Sequence, residues 1–225
     1  MSHAIETARS EQVADLLVSL VRADGSAGHA YPQATELTAG PEAMRNLADA
    51  AHYLCVLHGR FPGVIEHAAR KTGHPAARGW LSTAAEAFAA ERALLTRLAV
   101  ATGPLPSTPG QAECEAAVLQ QRHALEMLSQ SERAGCALGA AFALALDWQA
   151  VRAVLEAAAR RASIAPGDCG LPGEEETRTV AMIVAETTSF ERAMSFGAQQ
   201  LLAQHRGLWD LLEARQQARQ GLTLS

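Results

Sequence analysis

Residues 111–163 read QAECEAAVLQQRHALEMLSQSERAGCALGAAFALALDWQAVRAVLEAAARRAS, with no proline and only two glycines, Gly135 and Gly139. Nothing in this stretch stops a helix outright, and its alanine and leucine content favours one. It predicts one long helix bent near the two glycines, or two helices joined there. Gly135-x-x-x-Gly139, followed by Ala140 and Ala141, removes side-chain bulk from one face and lets another helix approach closely. Outside a membrane, that pattern predicts tight packing within the molecule.

The same logic extends to both sides. Upstream, Thr108-Pro109-Gly110-Gln111 has capping-box spacing, with proline in the first turn, and predicts a helix start. The loop before it, 102–109, holds three prolines. A helix is expected from about Pro75 to Ala101, and another from Gly40-Pro41-Glu42 to Lys71. Pro62 falls inside the latter and predicts a kink or a break. The first helix spans about Ile5 to Ala23, followed by a long irregular connection, 24–40. Downstream, 164–176 is a second long loop, and a final helix runs from Glu174 to about Gln220, with a break near Gly197 or Gly207. No strand alternation and no solenoid-length repeat is visible. The expectation is an all-α, single-domain bundle of six or seven helices, some long and bent, over residues 1–225.

Composition narrows the function classes. The chain has 225 residues, 48% of them hydrophobic, and a formal net charge of −5. That suits one globular core. Without a basic stripe, nucleic acid is excluded as an expected partner. Cys55, Cys114, Cys136 and Cys169 have no CxxC spacing, so neither a zinc knuckle nor a disulfide framework is encoded. Glu6, Glu11 and Asp15 interrupt the apolar residues near the start, unlike a signal peptide. The most apolar uncharged run, 134–146, is too short to span a bilayer. A cytoplasmic protein without a membrane span is expected.

No Walker A loop, GxGxxG after a strand, HExxH, GxSxG or EF-hand loop is present. What stands out is polar residues on apolar helix faces. His58 shares a face with Leu47, Ala51, Leu54, Phe61 and Ile65. Glu91 lies between Phe88 and Leu95, Glu132 continues the stripe of Leu125, Leu128 and Cys136, and His205 lies among Met194, Leu201, Leu208 and Leu212. A buried carboxylate is costly unless paired or metal-bound, and a buried histidine needs partners. Two histidines and two glutamates projecting into one helical core form a recipe for a metal site, with iron or manganese as candidates. Ion pairs with arginine and histidines capping freed carbonyls are the structural alternative. Glu186 and Glu191 flank the last stripe and substitute for Glu132 in either account. His123 and Glu126 form a surface pair, and His29 and Tyr31 sit in the first long loop. Cys136 as a nucleophile is disfavoured, because its apolar setting raises a thiol's pKa.

This plan is similar in general shape to ferritin-like carboxylate proteins and to heme-oxygenase-like proteins, including their thiaminase-like branch. Glu186-Thr-Thr-Ser-Phe-Glu-Arg-Ala-Met194 resembles that branch's last helix, and Cys136 lies mid-helix where a nucleophile sits. The cysteine's flanking residues and the aromatic pocket lining of that branch are missing. The chain has no Glu-x-x-His, the ferritin-like dinuclear motif, so no catalytic residue is carried over.

Three functional expectations follow. The first is a buried metal or small-ligand pocket with oxidase-type activity, using His58, Glu91, Glu132 and His205. It requires these four side chains to converge. The second is a non-catalytic bundle acting through a homodimer or a protein partner, with an exposed apolar patch near 135–141 or on the last helix. The third is a haem binder with His58 or His205 as axial ligand.

Overall fold

The computed structural model describes residues 2–223. The most apolar stretch becomes its central strut. Helix α7 (Cys136–Arg161) is buried on nearly every side, including Phe142, Leu144, Trp148, Val151 and Leu155. A helix apolar all round belongs in a core. It is also long and apolar enough to cross a membrane, yet 78% of that window is buried inside the fold. No other helix among the described residues meets that measure.

Around this strut pack α1 (Ser2–Asp24), α2 (Thr35–Thr38), α3 (Ala43–His58), α4 (Val64–Lys71), α5 (Pro75–Ala101), α8 (Glu174–Val184) and α9 (Thr188–Thr223), with α6 (Gln111–Ser129) bridging α3 and α9. Two 3₁₀ turns, Ser26–Gly28 and Tyr31–Gln33, fill the connection after α1. No strand occurs among the described residues. The architecture is all-α, as expected, with more and shorter helices than the sequence suggested. Fully burying each Leu or Phe stabilises such a core by about 1.5–3 kcal/mol.

The closest partnership is between α7 and α9. A β-carbon on Gly139 would run into the Met194 backbone, and one on Gly197 into the carbonyl of Cys136. The small-residue stripe is therefore an intramolecular seam. The 135–141 region assigned above to a partner surface is covered by the chain itself, and residues 136–141 are buried. Gly197 does not break the last helix; it lets α9 lie against α7.

Several boundaries differ from expectation for local reasons. The helix expected from residue 41 to Lys71 splits into α3 and α4 around Pro62, and the Glu66 carboxylate accepts the Gly63 N–H at 2.7 Å to start α4. The residue 111–163 stretch splits at 130–135. Thr108 does not cap α6, which starts at Gln111 after Gly110. Its hydroxyl instead accepts hydrogen bonds from Arg215 and Arg219. The final helix breaks at 185–187, where Thr187 Oγ1 accepts the Phe190 N–H at 3.2 Å. A threonine in that position starts a helix as an N-cap.

Candidate functional site

Asp147 lies in the middle of α7, between Leu144 and Val151, and its side chain is fully buried. A carboxylate there requires donors, and three polar groups supply them. The Ser26 backbone N–H donates to Oδ1 at 2.6 Å, and the Ser26 hydroxyl donates to Oδ2 at 2.6 Å. His205 Nδ1, on α9, lies 2.5 Å from Oδ2. Gly25 allows this turn to dock, because a β-carbon there would collide with Asp147 Oδ1. Trp209, one helical turn beyond His205, donates its indole N–H to Ser26 Oγ at 2.8 Å.

His205 Nε2 in turn faces His58 Nε2 at 2.8 Å, with the two rings nearly perpendicular. His58 is the last residue of α3. The partners set the tautomers. In the neutral pair, Asp147 accepts from His205 Nδ1–H and His205 holds a lone pair at Nε2. His58 must then donate from Nε2, which leaves its Nδ1 with a lone pair. That nitrogen has no protein hydrogen-bond partner among the described residues.

The environment of His58 favours the neutral ring. Burial comes first, then the neighbouring His205 and the Arg92 guanidinium, and together they hold its pKa well below the usual histidine value. The rings of Phe88 and Trp148 stand nearly perpendicular to it, with centroids at 6.1 and 5.5 Å. On its open side His58 lines a cleft between the end of α3, the 59–63 turn, α4 and α6. Leu57, Val64, Phe88 and Leu125 form its apolar walls, and Arg122 and Glu126 its polar ones. Its cavity volume is about 30 Å³, enough for a water or a small chemical group. Larger hollows of about 350, 210 and 330 Å³ lie elsewhere. The cleft at His58 is singled out by its chemistry, not its size.

Of the four residues singled out in the sequence, His58 and His205 meet directly. Glu91 lies one side chain further off. Trp148 Nε1–H donates to its Oε2 at 2.9 Å, while Arg152 binds its other oxygen. Glu91 is thus a buried carboxylate already neutralised by an arginine. Glu132 is not on a helix face at all. It sits in the 130–135 connection, 95% exposed, and pairs with Lys71 at 2.7 Å. That bond, with the lysine charge, lowers its pKa. Glu191 binds Arg9 at 2.7 Å, and exposed Glu186 accepts from His74. Cys136 is buried, and all four cysteines are free. His29 and Tyr31 of the first long loop do not face solvent. Both are buried, with the Tyr31 N–H donating to His29 Nδ1 at 3.1 Å and His29 Nε2 facing Asp210 at 2.9 Å.

Asp147, Ser26 and Trp209 escaped sequence reasoning. A signal for Asp147 was present: it is a lone carboxylate with Leu144, Val151 and Leu155 at helical spacing. Ser26 had none, because nothing local ties a turn after α1 to the centre of α7.

No curated protein and no solved structure matches the chain. Residues 21–220 match the model of a family described as a family of unknown function (DUF6975), and the chain belongs to that family.

Proposed function

We propose that the protein binds a small molecule in the cleft beside His58 and exchanges a proton with it. One observation carries this reading: a single file of buried hydrogen bonds, Asp147–His205–His58, ends at a cleft with an imidazole nitrogen unused. Neutral His58 is in the basic form at pH 7. A proton accepted at Nδ1 is balanced when His58 passes its Nε2 proton to His205 Nε2. His205 then carries the positive charge beside the Asp147 carboxylate. An imidazole oriented by a carboxylate is a recurrent arrangement for general acid–base work.

The test is a panel of small acids, amides and amines, followed by protein-observed NMR on wild type and His58→Gln. Binding compounds are expected to shift the amides of 57–64 and 122–129 together. Their affinity is expected to depend on pH in the wild type and to lose that dependence in the variant. The reading fails if no compound at millimolar concentration moves those amides, or if the variant binds with unchanged affinity and pH profile.

A second reading has its own observation. His205, with a carboxylate behind its ring and its Nε2 turned to His58 Nε2, has the outside orientation of a metal-binding histidine, but the 2.8 Å between the two nitrogens is a hydrogen-bond distance and would have to open to roughly 3–4 Å to admit a divalent metal. Iron or manganese held between His58 and His205 would support oxidase-type chemistry. Glu91 and Glu132 are engaged by Arg152 and Lys71, so water or substrate would complete the coordination. Anaerobic titration with Fe²⁺ and Mn²⁺ tests it. Stoichiometric binding lost in His205→Ala supports the metal, and no binding to the wild type removes it.

A further inference from the structure

The polar groups around the cleft are not balanced. Arg60 and Arg122 line it against one carboxylate, Glu126. Glu126 Oε1 accepts from Arg60 Nη1 at 3.1 Å and lies 3.8 Å from Arg122 Nε. That Nε is buried and makes no hydrogen bond among the described residues. Deeper in, Arg92 is 8% exposed and donates from Nη2 to Glu66 at 2.6 Å. Its Nη1 is buried and also has no partner among the described residues. The Arg92 guanidinium lies over the rings of Phe61 and Phe88, at 5.6 and 5.3 Å from their centroids. Nη1 comes within 3.8 Å of where a β-carbon on Gly63 would stand. Gly63 and Phe88 both belong to the cleft wall. The free end of a buried cation therefore lies behind the Gly63 wall of the cleft, whereas Arg122 lines the cleft itself.

A buried donor without a partner is costly, and more so when it carries charge. An acceptor that bears negative charge relieves that cost and restores the charge balance. We propose that the cleft takes a small anion, a carboxylate or comparable oxyanion, held by Arg122, with His58 beside it and the Arg92 charge behind the Gly63 wall. This rests on the reading of the cleft as a ligand site. It specifies the ligand's charge, so that His58 acts on an atom adjacent to an anchored anionic group. The apolar walls formed by Leu57, Val64 and Leu125 leave room for a short hydrocarbon portion only.

A matched series tests it: propionate, propionamide and propylammonium, titrated at fixed ionic strength into the full chain and followed by NMR at 57–64 and 122–129. Propionate is expected to bind about tenfold more tightly than propionamide, the scale of one charge-assisted hydrogen bond. Arg122→Gln is expected to abolish that preference and leave propionamide unaffected. Arg92→Lys, which keeps a cation for Glu66 but removes Nη1, gives a second variant whose fold is checked in the same spectra. Loss of propionate preference in either folded variant supports the proposal. Propionamide or propylammonium binding at the same residues as tightly as propionate overturns it while the ligand cleft stands. If none of the three moves these residues, the anion proposal fails, and the wider panel decides the ligand cleft.

Discussion

Two buried polar regions hang on the same helix, α9, and they are built on opposite plans. Near its C-terminal end, Asp49 of α3 accepts from Arg215 Nη2 at 2.9 Å and from Arg219 Nη1 at 2.6 Å. Arg219 also donates to Asn46 Oδ1 and Thr108 Oγ1, and Arg215 to the Pro106 carbonyl. Arg215 lies over the Tyr53 ring at 5.2 Å. Full charges, shared acceptors and three chain segments make this a clamp. Two turns and more upstream on α9, the His205 region is a single file with one hydrogen bond per step between His58, His205 and Asp147. It ends at a cleft, whereas the clamp ends in protein. Redundant charged contacts resist movement of any one member. A single file ending in a free nitrogen can pass a proton along its length.

That contrast can be broken, and the largest effect is expected at the clamp. Asp49→Ala leaves two buried guanidiniums without their carboxylate, and about 3–5 kcal/mol of stability is expected to be lost. Urea unfolding measures it, and ligand shifts at 57–64 are expected to persist wherever the variant is folded. A loss under 1 kcal/mol would mean the clamp holds little.

Asp147→Asn keeps the shape but removes the charge that orients His205 and accepts from Ser26. A loss of about 1.5–3 kcal/mol is expected, the range for hydrogen bonds to a charged group. Unlike the clamp variant, it is also expected to change the pH dependence of ligand binding. If stability alone changes, the file is a structural network.

His58→Gln acts mainly through pH. The folded-state pKa of His58 is depressed by burial, His205 and Arg92, so its neutral form contributes stability that is complete above the unfolded value of about 6.5. As pH falls below that, the unfolded chain takes up a proton that folded His58 refuses. Stability is then lost until the folded pKa is passed, at up to about 1.4 kcal/mol per pH unit. Wild-type unfolding between pH 6.5 and 5 is expected to show this extra slope relative to the variant; parallel curves would contradict a depressed His58. Least of all is expected from Glu132→Ala, whose carboxylate is solvent-exposed. Its melting temperature and ligand shifts should match the wild type.

How far the sequence reached follows from distance along the chain. Helices with continuous apolar periodicity, such as Pro75–Ala101, were legible because the signal is local. The break at 185–187 was not, because Thr187 looks like any other polar residue until its hydroxyl meets the Phe190 N–H. His58 and His205 stood out as polar residues on apolar faces, and they do meet. Glu91 stood out for the same reason, but its partner Arg152 lies 61 positions away. Glu132 misled because its stripe assumed a helix through 130–135. Asp147 reads in the sequence as no more than the end of an uncharged run, although it anchors the file.

The most direct measurement is the ¹⁵N spectrum of the histidine rings at pH 7, assigned with His58→Gln and His205→Ala. His205 is expected to carry a proton on Nδ1 and His58 to be neutral, protonated on Nε2, and to stay neutral well below pH 6.5. A doubly protonated His58 at pH 7, or one carrying its single proton on Nδ1, would leave no lone pair at the cleft and contradict the account.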